Sequence, residues 1–312
     1  MSTLPAETAP GVSPATLRHL ETAIEASLRG KAEVVRMALV CLLARGHLLI
    51  EDVPGVGKTT LAQSLARAVD GSFHRLQFTS DMLPSDVLGV TVWNARNEEF
   101  EFKPGPVFAN FLLADEINRT TPKTQSALLE AMNEQQVTVE GRTLPLPEPF
   151  MVIATQNPAE HHGAYPLPES QLDRFLMRVR LGYPPPAAER ELLSGVDRRD
   201  LVAALPRLLD GAGLAELQKR VHDVHVGPAL LDYVQALVAR SRSRPREGIG
   251  LSPRAGIGLL RAARAWALIA NRDAVIPEHV QAVLAAVIEH RLSTRDGASA
   301  AGAELLEAVP IP

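Results

Sequence analysis

Cysteine is all but missing from this chain: Cys41 stands alone among 312 residues. A single thiol excludes an intrachain disulfide. Its apolar surroundings, Met37 to Leu43, mark it as an inert small hydrophobe inside a helix. Aromatic residues are scarce, at 4%, so leucine, alanine, valine and isoleucine must fill the core. No apolar run is long enough for a bilayer, because Arg36 and Arg45 interrupt the best candidate. The N-terminus has neither a basic nor an apolar leader region, so no signal peptide is expected and the cytoplasm is the expected compartment. Positive charge is not in excess: the formal net charge is −4 and the pI about 6.2, which gives no global footprint for nucleic acid or an anionic membrane. What remains is an ordinary globular composition, 46% hydrophobic and 22% charged, with length enough for one large or two medium domains.

Residues 1–14 are rich in Ser, Thr, Ala and Pro without periodicity, and are expected to be a disordered tail. Two helices follow, broken at Gly30. Apolar runs then alternate with helical patterns. Strands are expected at 47–51, 75–78, 111–114 and 150–154, with a fifth near 178–181, and helices at 59–69 and 122–133. That alternation predicts an α/β fold with a parallel sheet and helices on both faces. Two β-like insertions interrupt it, near 86–108 and 136–150, the second a hairpin about Gly141. The prolines 184–186 end this domain, expected over 15–183. Residues 184–312 read as a smaller all-helical domain, with helices near 187–194, 200–210, 213–222, 228–241, 253–270 and 277–291.

The strongest local signal is Asp52-Val53-Pro54-Gly55-Val56-Gly57-Lys58-Thr59-Thr60, set between a predicted strand and a predicted helix. Glycines let backbone N–H groups converge on phosphate oxygens, and the helix N-terminus adds partial positive charge. Lys58 would reach the β- and γ-phosphates and the Thr59 hydroxyl would ligate Mg²⁺. Asp52 departs from the strict pattern, which has glycine there. The run 111–114 ends in Asp115-Glu116, and two adjacent carboxylates at a buried strand end need a cation or water. Asp115 would hold Mg²⁺, mostly through water, and Glu116 would deprotonate an attacking water. Asn157, after the next strand, could hold that water or a phosphate, or simply serve a turn. Arg174 suits growing phosphoryl charge, although a surface ion pair with Asp173 explains it equally on local grounds.

These segments, with 113–134, 165–178 and Leu251-Ser252-Pro253-Arg254-Ala255, resemble the AAA+ ATPases, and within them the MoxR family. The resemblance spans residues 47 to 255, and an acid at position 52 is usual for MoxR-like loops. It implies ATP hydrolysis in a ring of identical subunits, hexameric in such proteins. It assigns sensor 1 to Asn157, the arginine finger to Arg174 and sensor 2 to Arg254, in a helical lid. It implies ATP and Mg²⁺ as cofactors and chaperone-like work on a protein partner, often one with a von Willebrand factor A domain. The ATPase subunit of a magnesium or cobalt chelatase carries the same insertions and is the alternative; a DNA-directed motor lacks its modules here. In such rings the insertions face the pore or the client. Trp93 reads first as a core residue and second as an interface anchor. His161-His162 have no third ligand and read as solvated. The cluster Arg240, Arg242, Arg244 and Arg246 reads as a solvated loop rather than a nucleic-acid contact.

Overall fold

The computed structural model describes residues 14–157, 165–195, 197–243, 250–292 and 301–311. Residues 1–13 of the expected tail, His161-His162, Arg244 and Arg246 lie outside them, while Pro14, the last residue assigned to that tail, opens the first helix. Helices α1 (Pro14–Ser27) and α2 (Ala32–Leu43) lead into strand β1 (Leu48–Glu51), helix α3 (Lys58–Ala68) and strand β2 (Phe73–Gln77). A short helix α4 (Pro84–Leu88) opens the first insertion, β3 (Gly89–Asn94) and β4 (Glu99–Pro104). Next come β5 (Phe111–Asp115), α5 (Pro122–Glu134), the hairpin β6 (Gln136–Val139) and β7 (Arg142–Pro145), and β8 (Met151–Gln156). Helix α6 (Glu169–Leu172) and strand β9 (Met177–Val179) complete the α/β portion. The rest is helical: α7 (Pro186–Leu193), α8 (Arg198–Ala204), α9 (Gly211–Asp223), α10 (Pro228–Arg242), α11 (Pro253–Ile269), α12 (Pro277–Ile288) and α13 (Ala301–Ala308).

The main sheet runs β2-β5-β8-β1-β9, with every pairing parallel. Its strands read as unbroken apolar runs because both faces are covered. Leu48, Ile50, Leu113 and Ile153 face one core, shared with α1, α2, α3 and the helical portion. Leu49, Leu112, Ala114, Val152 and Ala154 face a second core, against α5. Strict alternation along each strand thus feeds two layers. Cys41 is buried in the first core, and burial pushes its thiol pKa well up, as an inert residue requires.

Both insertions are antiparallel hairpins. The β6–β7 turn, Glu140-Gly141, has positive φ at both residues (50° and 78°), the geometry of a tight two-residue hairpin turn. At the base of the β3–β4 hairpin only glycine fits position 89: φ is 105°, and a Cβ there would lie 2.4 Å from the Lys103 carbonyl oxygen. Near its tip, Trp93 corrects the core expectation. It is 54% exposed and meets Phe100, 66% exposed, edge-on at 5.2 Å between ring centroids. The two strands of the ribbon pair only with each other, and the face that carries the indole has no second layer over it.

The helix expected over 200–210 stops at Ala204, because Pro206 disfavours helical backbone at Leu205, whose ψ is 125°. The N–H groups of Leu208 and Leu209 instead donate to the Ala68 carbonyl, at 2.9 and 3.1 Å. Among the described residues no helix is long and apolar enough to cross a membrane.

Candidate active site

Strand β1 turns at Asp52 into the glycine loop, which opens helix α3. Gly55 and Gly57 take φ values of 84° and 111° that other residues resist. A Cβ on Gly55 would meet nothing within 4 Å, so that side of the loop is open. Lys58 folds back and donates from Nζ to the Asp52 carbonyl at 2.5 Å. Pro54 and Gly55 are exposed, Lys58, Thr59 and Thr60 partly so, while Val56 anchors the loop in the core. The buried carboxylate of Asp52 accepts from the N–H of Val53 (2.8 Å) and of Gly182 (2.6 Å). It therefore ties the loop to the chain that leads into the helical portion, a task glycine could not perform. The Arg198 guanidinium of α8 also lies against the loop: a Cβ on Gly57 would sit 3.1 Å from its Nη1.

The two acids at the end of β5 diverge. Glu116 leaves the strand in left-handed backbone (φ 58°, ψ 48°), and its N–H donates to Thr155 Oγ1 at 2.9 Å. The same hydroxyl donates to Asp115 Oδ1 at 2.6 Å, so Thr155 of β8 fixes both residues. Asp115 Oδ2 accepts from Arg75 Nη2 at 2.6 Å, and Glu116 Oε2 from Gln77 Nε2 at 2.7 Å and Arg119 Nε at 2.9 Å. Arg75, Gln77 and Thr155 were missed in the sequence. The signal lay in the register: Gln77 stands opposite Asp115 in the parallel pair. Asn157, buried, follows β8, which lies between β5 and β1. It thus falls between the acids and the glycine loop, and the Asp52 N–H donates to the carbonyl of neighbouring Gln156 at 3.1 Å.

Arg174 and Arg254 are elsewhere. They share a cavity of about 270 Å³ with Arg45, Arg261, Arg291 and Asp173. Gly46 and His47, which precede β1, line it too, whereas the glycine loop follows β1. Four strand residues at about 3.3 Å each put roughly 13 Å of sheet between the two ends. Arg254 donates from Nη2 to Asn133 Oδ1 at the end of α5. The Asp173 carboxylate is engaged by Arg291 and Ser252 rather than serving Arg174. Buried His47 accepts at Nδ1 from the Val152 N–H (3.0 Å) and donates from Nε2 to the Met132 carbonyl (3.1 Å). Burial lowers its pKa to about 4, so the ring is neutral and the cavity's positive charge is that of its arginines.

A parallel sheet in this order, a glycine-rich phosphate loop and a helical cap define an AAA domain with its lid. Residues 47–177 match the model of the ATPase family associated with various cellular activities (AAA), and residues 239–309 match the AAA lid domain. The crystal structure of a proposed ATPase from Cytophaga hutchinsonii superposes with a TM-score of 0.88 at 36% identity, covering 96% of each chain. Chaperone MoxR1 of Mycobacterium tuberculosis is 44% identical over 89% of this chain and 75% of its own. The uncharacterised YeaC of Bacillus subtilis is 45% identical over 91% of both. The chain belongs to the MoxR family of AAA+ ATPases.

Proposed function

We propose that this chain hydrolyses ATP to ADP and phosphate in a ring of identical subunits, six in number, and that each active site is completed by Arg174 and Arg254 of the adjacent subunit. The observation that carries this reading is the position of these two arginines in one cavity, at the end of the sheet opposite their own glycine loop. Arginines so placed are well situated to serve a nucleotide held by a neighbour.

Within one subunit, the N–H groups of Pro54–Thr60 other than proline's, and Lys58, hold the phosphates. The donor set suits Mg²⁺: a hydroxyl (Thr59) and a carboxylate (Asp115) are both hard oxygen ligands, and Asp115 would hold the ion mostly through water once its Oδ2 leaves Arg75. The metal would neutralise charge developing on the phosphate oxygens. Glu116 accepts the proton of the attacking water once its carboxylate leaves Gln77 and Arg119, and Asn157 orients that water. Arg174 and Arg254 of the neighbour stabilise charge on the transferred phosphoryl group.

Nucleotide turnover is read as driving chaperone-like remodelling or maturation of a cytoplasmic protein client, consistent with a relative named a chaperone. A von Willebrand factor A domain protein is the partner this family resemblance favours. The exposed Trp93–Phe100 pair suits contact with such a partner. We take 15–183 as the nucleotide domain and 184–312 as the lid, the turn at Tyr183–Pro186 supporting that division.

Mixing two inactive variants tests the shared site. Arg174→Ala retains Glu116, and Glu116→Gln retains the arginines. After subunit exchange, mixed rings hold some complete sites and should recover part of the ATPase activity. Demonstrated exchange with no recovery overturns the reading.

A further inference from the structure

The segment carrying Arg174 and the helix carrying Arg254 belong to different portions of the molecule, yet one carboxylate joins them. Asp173 immediately precedes Arg174. Its Oδ1 and Oδ2 accept from the Ser252 hydroxyl at 3.1 and 3.0 Å. Ser252 is the N-cap of α11, accepting from the Ala255 N–H at 3.1 Å, and Arg254 is the second residue of that helix. The carboxylate thus belongs to the residue before one arginine and is bonded to the residue two before the other.

Arg291, just past the end of α12, closes the junction. Its side chain is 5% exposed. Nε donates to Asp173 Oδ1 at 2.8 Å. Nη2 donates to the carbonyls of Phe175 (2.6 Å) and Asp173 (3.2 Å), and Nη1 to those of Leu176 (3.2 Å) and Val287. A planar guanidinium with five fixed donors can grip several carbonyls and a carboxylate at once; lysine could not. Neighbouring His290 donates from Nε2 to the same Phe175 carbonyl at 3.0 Å. Lid residues therefore hold the backbone on both sides of Arg174, at Asp173, Phe175 and Leu176. This is a costly arrangement to bury unless the geometry itself is needed.

We propose that Asp173 and Arg291 are positioning residues that lock lid to core, so that Arg174 and Arg254 approach the neighbour's phosphates as one rigid pair. The inference rests on the shared-site reading above. A misplacement of about 1 Å in such groups can cost ~100-fold in rate. Asp173→Asn keeps the shape and an acceptor for Ser252 but removes the charge that answers Arg291.

The experiment uses the full chain. Asp173→Asn should lower kcat at least ~10-fold and leave the KM for ATP within about threefold, because its own glycine loop lies at the far end of β1. Without nucleotide, hydrogen exchange should quicken together in the amides of residues 174–176 and 254–256. Mixing Asp173→Asn with Glu116→Gln should restore activity, as Arg174→Ala does. Rescue of Arg174→Ala without rescue of Asp173→Asn overturns this inference alone, whereas rescue of neither overturns the shared site itself. A kcat within twofold of wild type, or exchange unchanged in both segments, also overturns the inference. Should Asp173→Asn fail to fold, Ser252→Ala removes the link to α11 together with that helix's N-cap and leaves the Asp173–Arg291 pair in place. The same drop in kcat and the same rescue are then expected, and a folded Ser252→Ala protein with wild-type kcat overturns the proposal.

Discussion

Asp52→Gly would bring the loop into line with the strict glycine pattern, and the pattern alone implies a harmless or improving change. The structure implies a loss of stability. The carboxylate accepts two hydrogen bonds, from Val53 N–H at 2.8 Å and Gly182 N–H at 2.6 Å. Bonds to an ionised acceptor contribute about 1.5–3 kcal/mol each. The Val53 bond joins adjacent residues and forms readily in the unfolded chain too, so most of the loss comes from Gly182. A new glycine costs a further 0.5–1 kcal/mol or so in backbone entropy. Relief from burying the carboxylate returns part of this, leaving a net destabilisation of about 2 kcal/mol. Urea unfolding without nucleotide measures it directly. Asp52→Asn, which keeps one acceptor oxygen, should fall between. Stability of Asp52→Gly within about 0.5 kcal/mol of wild type would refute the view that this acid ties the loop to the chain leading into the lid.

Three further outcomes are expected. Lys58→Ala should abolish ATP binding in calorimetry while the fold persists; near-normal affinity would remove the glycine loop from the nucleotide site. Glu116→Gln should bind ATP and turn it over at least ~100-fold slower, and a loss of only a few-fold would point to another base. His47 should make stability pH-dependent. Its native pKa of about 4 lies below the unfolded value near 6.5, so its contribution is complete above pH 6.5 and is lost as pH falls toward 4. Between pH 7.5 and 5 this amounts to about 2 kcal/mol, and buried His290, its pKa also lowered, acts in the same direction. His47→Asn should flatten the slope in urea unfolding; an unchanged slope would assign it to other groups.

The sheet was legible because its strands are buried on both faces, so 48–50, 111–114 and 151–154 stand out as apolar runs. Edge strand β2, partly or wholly exposed at every residue, was placed two residues late. Helix α13 was missed: Ala301-Gly302-Ala303 carries little periodic signal, and packing of Ala301, Leu305 and Val309 into the first core gives the segment its reason to form. The glycine loop and the acids of β5 were visible because each is a contiguous motif. Arg75, Gln77 and Thr155 were not, since they meet the acids only through strand register. The Asp173–Ser252–Arg291 junction joins residues 79 and 118 apart in sequence, a separation at which no local pattern speaks. Trp93 was misjudged because composition favours buried tryptophan, while a two-stranded ribbon has no interior.

The central claim, an active site completed by an adjacent subunit, is tested most directly by phosphate release per subunit measured across protein concentration, with sedimentation following assembly. Near-zero turnover in monomers, rising in step with the ring, is the result this account predicts. Constant turnover per subunit down to concentrations at which the protein is monomeric would contradict it.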